Sequence, residues 1–78
     1  MMDAVRQLGA ELHRMYESGG ASGERVTMIH LFGIRYAEEL GRVSIPDVVA
    51  ASGISKSYAT EVSKGMKLAR HVTVSESK

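Results

Sequence analysis

The chain reads as an all-α domain: a small helical bundle containing a helix-turn-helix, ending in either a short C-terminal strand or a frayed tail. Three observations carry this reading. Apolar residues recur at steps of three and four along most of the 78 residues, the spacing of a helix face. Gly and Ser gather at a few joints where helices would stop. One run, Ser44 to Gly65, places a cap, a short helix, a glycine turn, a second cap and a second helix in succession.

At this length the chain is one domain, 1–78, near the lower end of what folds unaided, so its core supplies only a few kcal/mol net. It has no cysteine, which removes disulfides, zinc-thiolate sites and thiol nucleophiles and fits a reducing compartment. The opening residues, Met1-Met2-Asp3-Ala4-Val5-Arg6, lack the apolar run of a signal peptide. No stretch approaches the roughly 20 apolar residues that span a bilayer. A soluble, cytoplasmic protein with no membrane partner is expected. Net charge is +1, but it is unevenly spread. Residues 1–41 carry four Arg against six acids, for −2, and residues 42–78 carry six Lys and Arg against three acids, for +3. The basic surplus falls on the half that holds the helix-turn-helix.

The first helix, 1–17, starts after Asp3 as N-cap, and Val5, Leu8, Leu12 and Met15 form its apolar stripe. Gly9 costs it about 1 kcal/mol of propensity relative to Ala. Residues 18–23, Ser-Gly-Gly-Ala-Ser-Gly, form a flexible linker that would free this helix to dock on a partner subunit. Residues 24–71 form the core unit. Ser22 or Gly23 caps a helix from Glu24 to Leu40, whose broad apolar surface marks it as central. Gly33 in its middle reads as a close helix–helix contact, and Gly41 ends it. His30 reads as a packed histidine, since neither His13 nor His71 stands at ligand spacing from it. Glu38 and Glu39 read as surface charges. The tail, 72–78, has only Val72 and Val74 in alternation.

The run at 44–65 is the informative one. Ser44 with Asp47 resembles a capping box, and Pro46 falls in the first turn, where a missing N–H does no harm. The short helix Ile45–Ser52 stops at Gly53, a position suited to the left-handed conformation. Ser55 then caps a second helix, 55–64. Ile54, Ala59 and Val62 point inward, while Lys56, Ser57, Thr60, Glu61 and Lys64 point outward, and Lys67 and Arg70 extend a basic rim. A polar helix that opens with Ser and Lys suits phosphates at its N-terminus and base edges along its side. Tyr58 is a candidate either for a phosphate contact or for covering the edge of the core.

Gly53-Ile54-Ser55-Lys56-Ser57-Tyr58-Ala59-Thr60-Glu61-Val62-Ser63-Lys64-Gly65 resembles the turn and recognition helix of the Cro/phage-repressor helix-turn-helix family, in which that helix often ends in Gly. The resemblance implies sequence-specific transcriptional regulation by a homodimer, in the form of a small repressor reading the major groove of a two-fold related operator in double-stranded DNA. By position it implies that Ser55, Lys56, Ser57, Thr60 and Lys64 face DNA and that Gly53, Ile54, Ala59 and Val62 hold the turn. The family usually has a small residue where this chain has Val49 and a β-branched one where it has Ala59, a large/small exchange that conserves volume. Pro46 replaces a polar phosphate contact.

No nucleophile–base pair, phosphate loop or carboxylate cluster suggests an enzyme, and no metal, cofactor or small-molecule ligand is expected. Met15, Met28 and Met66 read as core fillers. The alternative function is a protein–protein interaction module that uses the same scaffold without DNA.

Overall fold

Asp3, expected to stand before the first helix as its cap, lies inside the first turn of a helix that already begins at Met2, where its carboxylate faces the positive end of the helix dipole. The computed structural model describes residues 2–20 and 23–72. Within them α1 spans Met2–Ser18, α2 Arg25–Arg35, α3 Ala37–Leu40, α4 Ile45–Ser52 and α5 Ala59–Leu68, with one 3₁₀ turn, Lys56–Tyr58, ahead of α5. The described residues contain no strand, and the fold is all-α. Thr73 and Val74 of the expected tail strand lie outside them, as do Ala21 and Ser22 of the linker.

The helices share one core. α1 packs on α4 and α2, and α2 packs on α5. Val5, Leu8, Leu12 and Met15 are buried together with Ile29, Phe32, Leu40, Val48, Val49 and Val62. Full burial of side chains such as Leu12 or Phe32 contributes about 1.5–3 kcal/mol each, so a domain this small depends on the α1 stripe. This corrects the expectation that α1 docks on a partner: its apolar face is spent inside its own chain.

The reversal after α1 is correspondingly tight. Ser18 belongs to the helix, and its hydroxyl donates to the Met15 carbonyl at 2.6 Å. The Gly19 and Gly20 amides donate to the carbonyls of Tyr16 and Glu17, and the Glu24 amide returns to the Gly19 carbonyl at 2.8 Å. A Cβ on Gly19 would stand 2.7 Å from the Glu24 carbonyl oxygen, so the glycine lets two strands of backbone meet. His13 Nδ1 adds a second tie, 3.1 Å from the Ser52 carbonyl at the end of α4.

The helix expected over 24–40 is broken at Tyr36, whose backbone (φ −109°, ψ 23°) leaves the helical region. Its ring packs on Phe32, centroids 5.2 Å apart, and it lies beside Glu11 of α1, with burial first and that carboxylate second pushing its hydroxyl pKa up. That side chain is thus anchored to two other elements at the point where the helix interrupts. Glu24, and not Gly23, is the N-cap residue of α2, without a side-chain capping bond.

α2 and α5 meet backbone to backbone. A Cβ on Gly33 would lie 2.5 Å from the Val62 carbonyl oxygen and 2.9 Å from the Gly65 Cα, and a Cβ on Gly65 would run into the His30 carbonyl. Gly65, expected to end the second motif helix, therefore lies in the interior of α5, which continues to Leu68. Its role is contact, not termination. Gly9 has a parallel explanation: a Cβ there would be 2.6 Å from that of Ala51, so the propensity it costs α1 is the condition for α1 lying close on α4.

Alanine gains about 1 kcal/mol over glycine in a helix interior, yet Gly33→Ala and Gly65→Ala are each expected to destabilise the fold by about 1–3 kcal/mol, the usual cost of overpacking. Urea unfolding of each variant checks this. An unchanged or raised midpoint would mean that the two backbones do not touch.

Candidate nucleic-acid interface

The turn between α4 and α5 is built from short polar side chains. Ser44 accepts from the Asp47 amide at 3.4 Å, with Pro46 in the first turn, and α4 begins as expected. At the other end Gly53 takes φ +81°, and nothing crowds the place where a Cβ would go. The residue is needed for its backbone angle and not for space. Ser52 is buried, yet its hydroxyl donates to the Val49 carbonyl at 2.6 Å and accepts from the Ile54 amide at 3.2 Å. That one hydroxyl closes α4 and aims the chain into the next element. Ser55 accepts from the Ser57 amide at 3.3 Å and shares a hydroxyl–hydroxyl bond with it at 3.0 Å. The cap therefore opens a 3₁₀ turn, Lys56–Tyr58, and only then an α-helix.

Val62 is fully buried and Gly65 lies against Gly33, while Ile54 and Ala59 are half-buried against the core. The opposite surface is open. Ser55, Lys56, Ser57, Thr60, Lys64, Lys67 and Arg70 are all exposed. Thr60, Lys64 and Lys67 recur at i, i+4 and i+7, so they share one side of α5. A cleft of about 370 Å³ between the two motif helices is lined by Pro46, Asp47, Val49, Ala50, Lys56 and Ala59. Val49 and Ala59, the exchanged pair, thus stand on its two walls. A second groove, about 320 Å³, runs between Ile45 and Ser63, Met66, Lys67 and Arg70.

Tyr58 covers the core edge. Its ring is half-buried, 5.5 Å from that of Tyr16, and the neighbouring Tyr16 hydroxyl pushes its pKa up. Arg25, at the start of α2, stacks over the Tyr16 ring, 5.1 Å from its centroid. It adds a cation near the N-terminal end of the motif's second helix that its sequence position, 30 residues before Ser55, gives no reason to suspect.

Glu61 was also missed as anything more than an outward polar group. Its Oε1 lies 2.6 Å from Nε2 of His30 on α2, and its Oε2 lies 3.5 Å from Lys64 Nζ. The His30 hydrogen bond, with help from the Lys64 charge, holds this carboxyl below its ordinary pKa. His30 is half-buried, as expected, but its ring serves a bond across the helix crossing and not merely the packing. Among the described residues no three His, Cys, Asp or Glu side chains cluster closely enough to hold a metal, and no helix is long and apolar enough to cross a membrane.

The sequence model of the family described as HTH-like domain matches residues 4–75, nearly the whole chain. No curated protein and no solved structure matches it.

Two outcomes follow from this geometry. Val49→Ala should open a cavity and Ala59→Val should overpack the cleft, each costing about 1–3 kcal/mol, with the double variant recovering part of both losses. Strict additivity in urea melts would show the two walls to be independent. Because the folded Glu61 carboxyl has a lowered pKa, its contribution to stability is complete above the ordinary carboxylate value and is lost as pH falls through the folded one. Glu61→Gln should therefore flatten the acid limb of the stability–pH curve below that ordinary value. An acid limb identical to that of the unaltered chain would contradict the His30–Glu61 bond.

Proposed function

Because this chain belongs to the HTH-like domain family, we propose that it is a DNA-binding transcriptional regulator, reading the major groove of double-stranded DNA through the segment Ser55–Lys64. The observation that carries this reading is the exposed row Lys56, Ser57, Thr60, Lys64 and Lys67 on an element whose other side is pinned by Val62 and Gly65. Such a row is rigid, polar and basic, and those are the requirements for entering the groove without paying to order the reader. Lys56, Ser57 and Thr60 lie at its N-terminal end and are assigned to base edges. Lys64, Lys67 and Arg70 are assigned to phosphates, with Ser55 contributing through its cap. Tyr58 supports the reader from behind through Tyr16.

The run Gly53–Gly65 favours a Cro/phage-repressor-like mode, with repression as the outcome, a cytoplasmic setting and no catalysis. A single reading element covers few base pairs, so a homodimer on a two-fold related site is the natural assembly, with half-site centres roughly 34–36 Å apart or a multiple of that. Since the α1 stripe is internal, the seam falls instead to the end of α5, where Leu68 and Val72 stand one turn apart and are 42% and 48% exposed. That end leads into the tail, away from Lys56.

Binding to random and to selected duplexes across a salt series tests the reading. A DNA reader should lose affinity steeply as salt rises, whereas a protein-binding module using the same scaffold should show no such loss. Thr60→Ala or Lys56→Ala should relax preference at one base position by about 1–3 kcal/mol, and Lys67→Ala should weaken all sequences alike and reduce the salt slope by about 1. Absence of salt-sensitive binding to any duplex would overturn the proposal. Sedimentation of Leu68→Lys checks the seam: a dimer that survives this change is not joined there.

A further inference from the structure

We propose that Glu61 is a selectivity-determining residue of the reading element, held in position by His30. This rests on the DNA-reading assignment above. Three facts single Glu61 out. It is the one acidic residue in α5, and it sits one residue past Thr60 and one turn before Lys64 on the element assigned to the groove. One of its oxygens is fixed from another helix, by His30 Nε2 at 2.6 Å, while the other is turned to Lys64 at 3.5 Å. The crossing of α2 and α5 that brings His30 there is set by Gly33 and Gly65 and leaves little freedom to shift. An ordinary surface Glu–Lys pair along a helix is mobile and contributes little. Here one end of the pair is bolted to the core layer.

A carboxylate in that place acts in two ways. Towards the phosphate backbone it is repulsive, and it shares the charge of Lys64, one of the groups assigned to phosphates, so generic attraction to any duplex is reduced. Towards base edges it is an acceptor, and the major-groove donor that a carboxylate reads is the exocyclic amino group of cytosine. Selectivity is a difference between affinities, and this one group lowers the affinity for wrong sequences while adding a contact to right ones. Holding it in place means that the contact costs little side-chain entropy on binding. The groups that face its carboxylate are Lys64 on its own helix and the His30 ring on α2; Arg25 stands over Tyr16.

The test uses the full chain and measures affinity for random-sequence duplex over a salt series, together with base preferences selected from a random library. Glu61→Gln should bind random duplex several-fold more tightly, with a steeper salt slope, as Lys64 is no longer shared with a carboxylate. It should also lose about tenfold or more of its preference at one base position. Glu61→Asp keeps the charge but is too short to span both partners, so it should retain the weak generic binding and still lose the preference. His30→Ala should lower the same base preference, and combining it with Glu61→Gln should cause no further loss, which a merely structural histidine would not produce. Thermal melts confirm that the variants compared are folded, and Glu61→Asp serves where Glu61→Gln is not. If the unaltered chain binds duplexes with a steep salt slope and a base preference, while both Glu61 variants match it in each, the role of Glu61 is overturned and DNA reading stands. If the unaltered chain shows no salt-dependent binding, DNA reading itself has failed and the role of Glu61 falls with it.

Discussion

Where α2 and α5 cross, Gly33 and Gly65 bring two helix backbones together with no side chain between them. Much of the molecule is arranged around that point. It fixes the height of α5 over α2, buries Val62 completely and leaves Thr60, Lys64 and Lys67 facing outward. It also sets the reach over which the His30 ring meets Glu61. A larger residue at either glycine would lift α5, and the outward row would move with it. In a domain of this size few other contacts could restore the alignment, because the core holds only a small set of large side chains.

The second constraint is at the other end of the motif. Ser52, Gly53 and Ser55 convert the end of α4 into the start of the reading segment within three residues, each by a separate device: a buried hydroxyl bonded twice, a left-handed backbone angle, and an exposed cap. The 3₁₀ turn that follows is tighter than an α-turn and carries Lys56 and Ser57 at its surface. The geometry of the interface is thus set locally by the turn and globally by the glycine crossing. α1 closes the arrangement from outside, with Leu12 buried in the shared core and His13 reaching the last carbonyl of α4.

Much of this was legible in the sequence, and the division is physical. Caps and turns are local, so Ser44, Pro46, Gly53 and Ser55 declare themselves through residue type and spacing, and α4 is found where those signals put it. The α1 stripe was equally visible, but periodicity shows which face is apolar and not what covers it. A Gly-Gly joint reads the same whether it is a hinge or a close approach of backbones, and the structure makes it the latter. Gly65 was misread for the same reason: a glycine after a polar helix looks like a stop signal, and only the partner Gly33, 32 residues earlier, gives it another meaning. The break at Tyr36 has no local signal, because it accompanies an aromatic anchored to Phe32 and Glu11. Glu61 and Arg25 belong to the same class. Their significance comes from neighbours on other helices, His30 and the Tyr16–Tyr58 pair, that no spacing rule connects.

An overall charge of +1 makes a poor polyanion binder, so any reading of DNA here depends on where charges are placed and not on their sum. The most direct measurement is a titration of the isotopically labelled chain with a short duplex, followed residue by residue through backbone amide shifts at two salt concentrations. The expected result is that shifts concentrate on Gly53 to Lys67, with Lys56, Ser57, Thr60 and Lys64 foremost, and that they weaken together at higher salt. Shifts centred instead on the cleft lined by Ala4, Gln7, Tyr36 and Arg42, or no shifts at either salt concentration, would contradict a DNA-reading role for this segment.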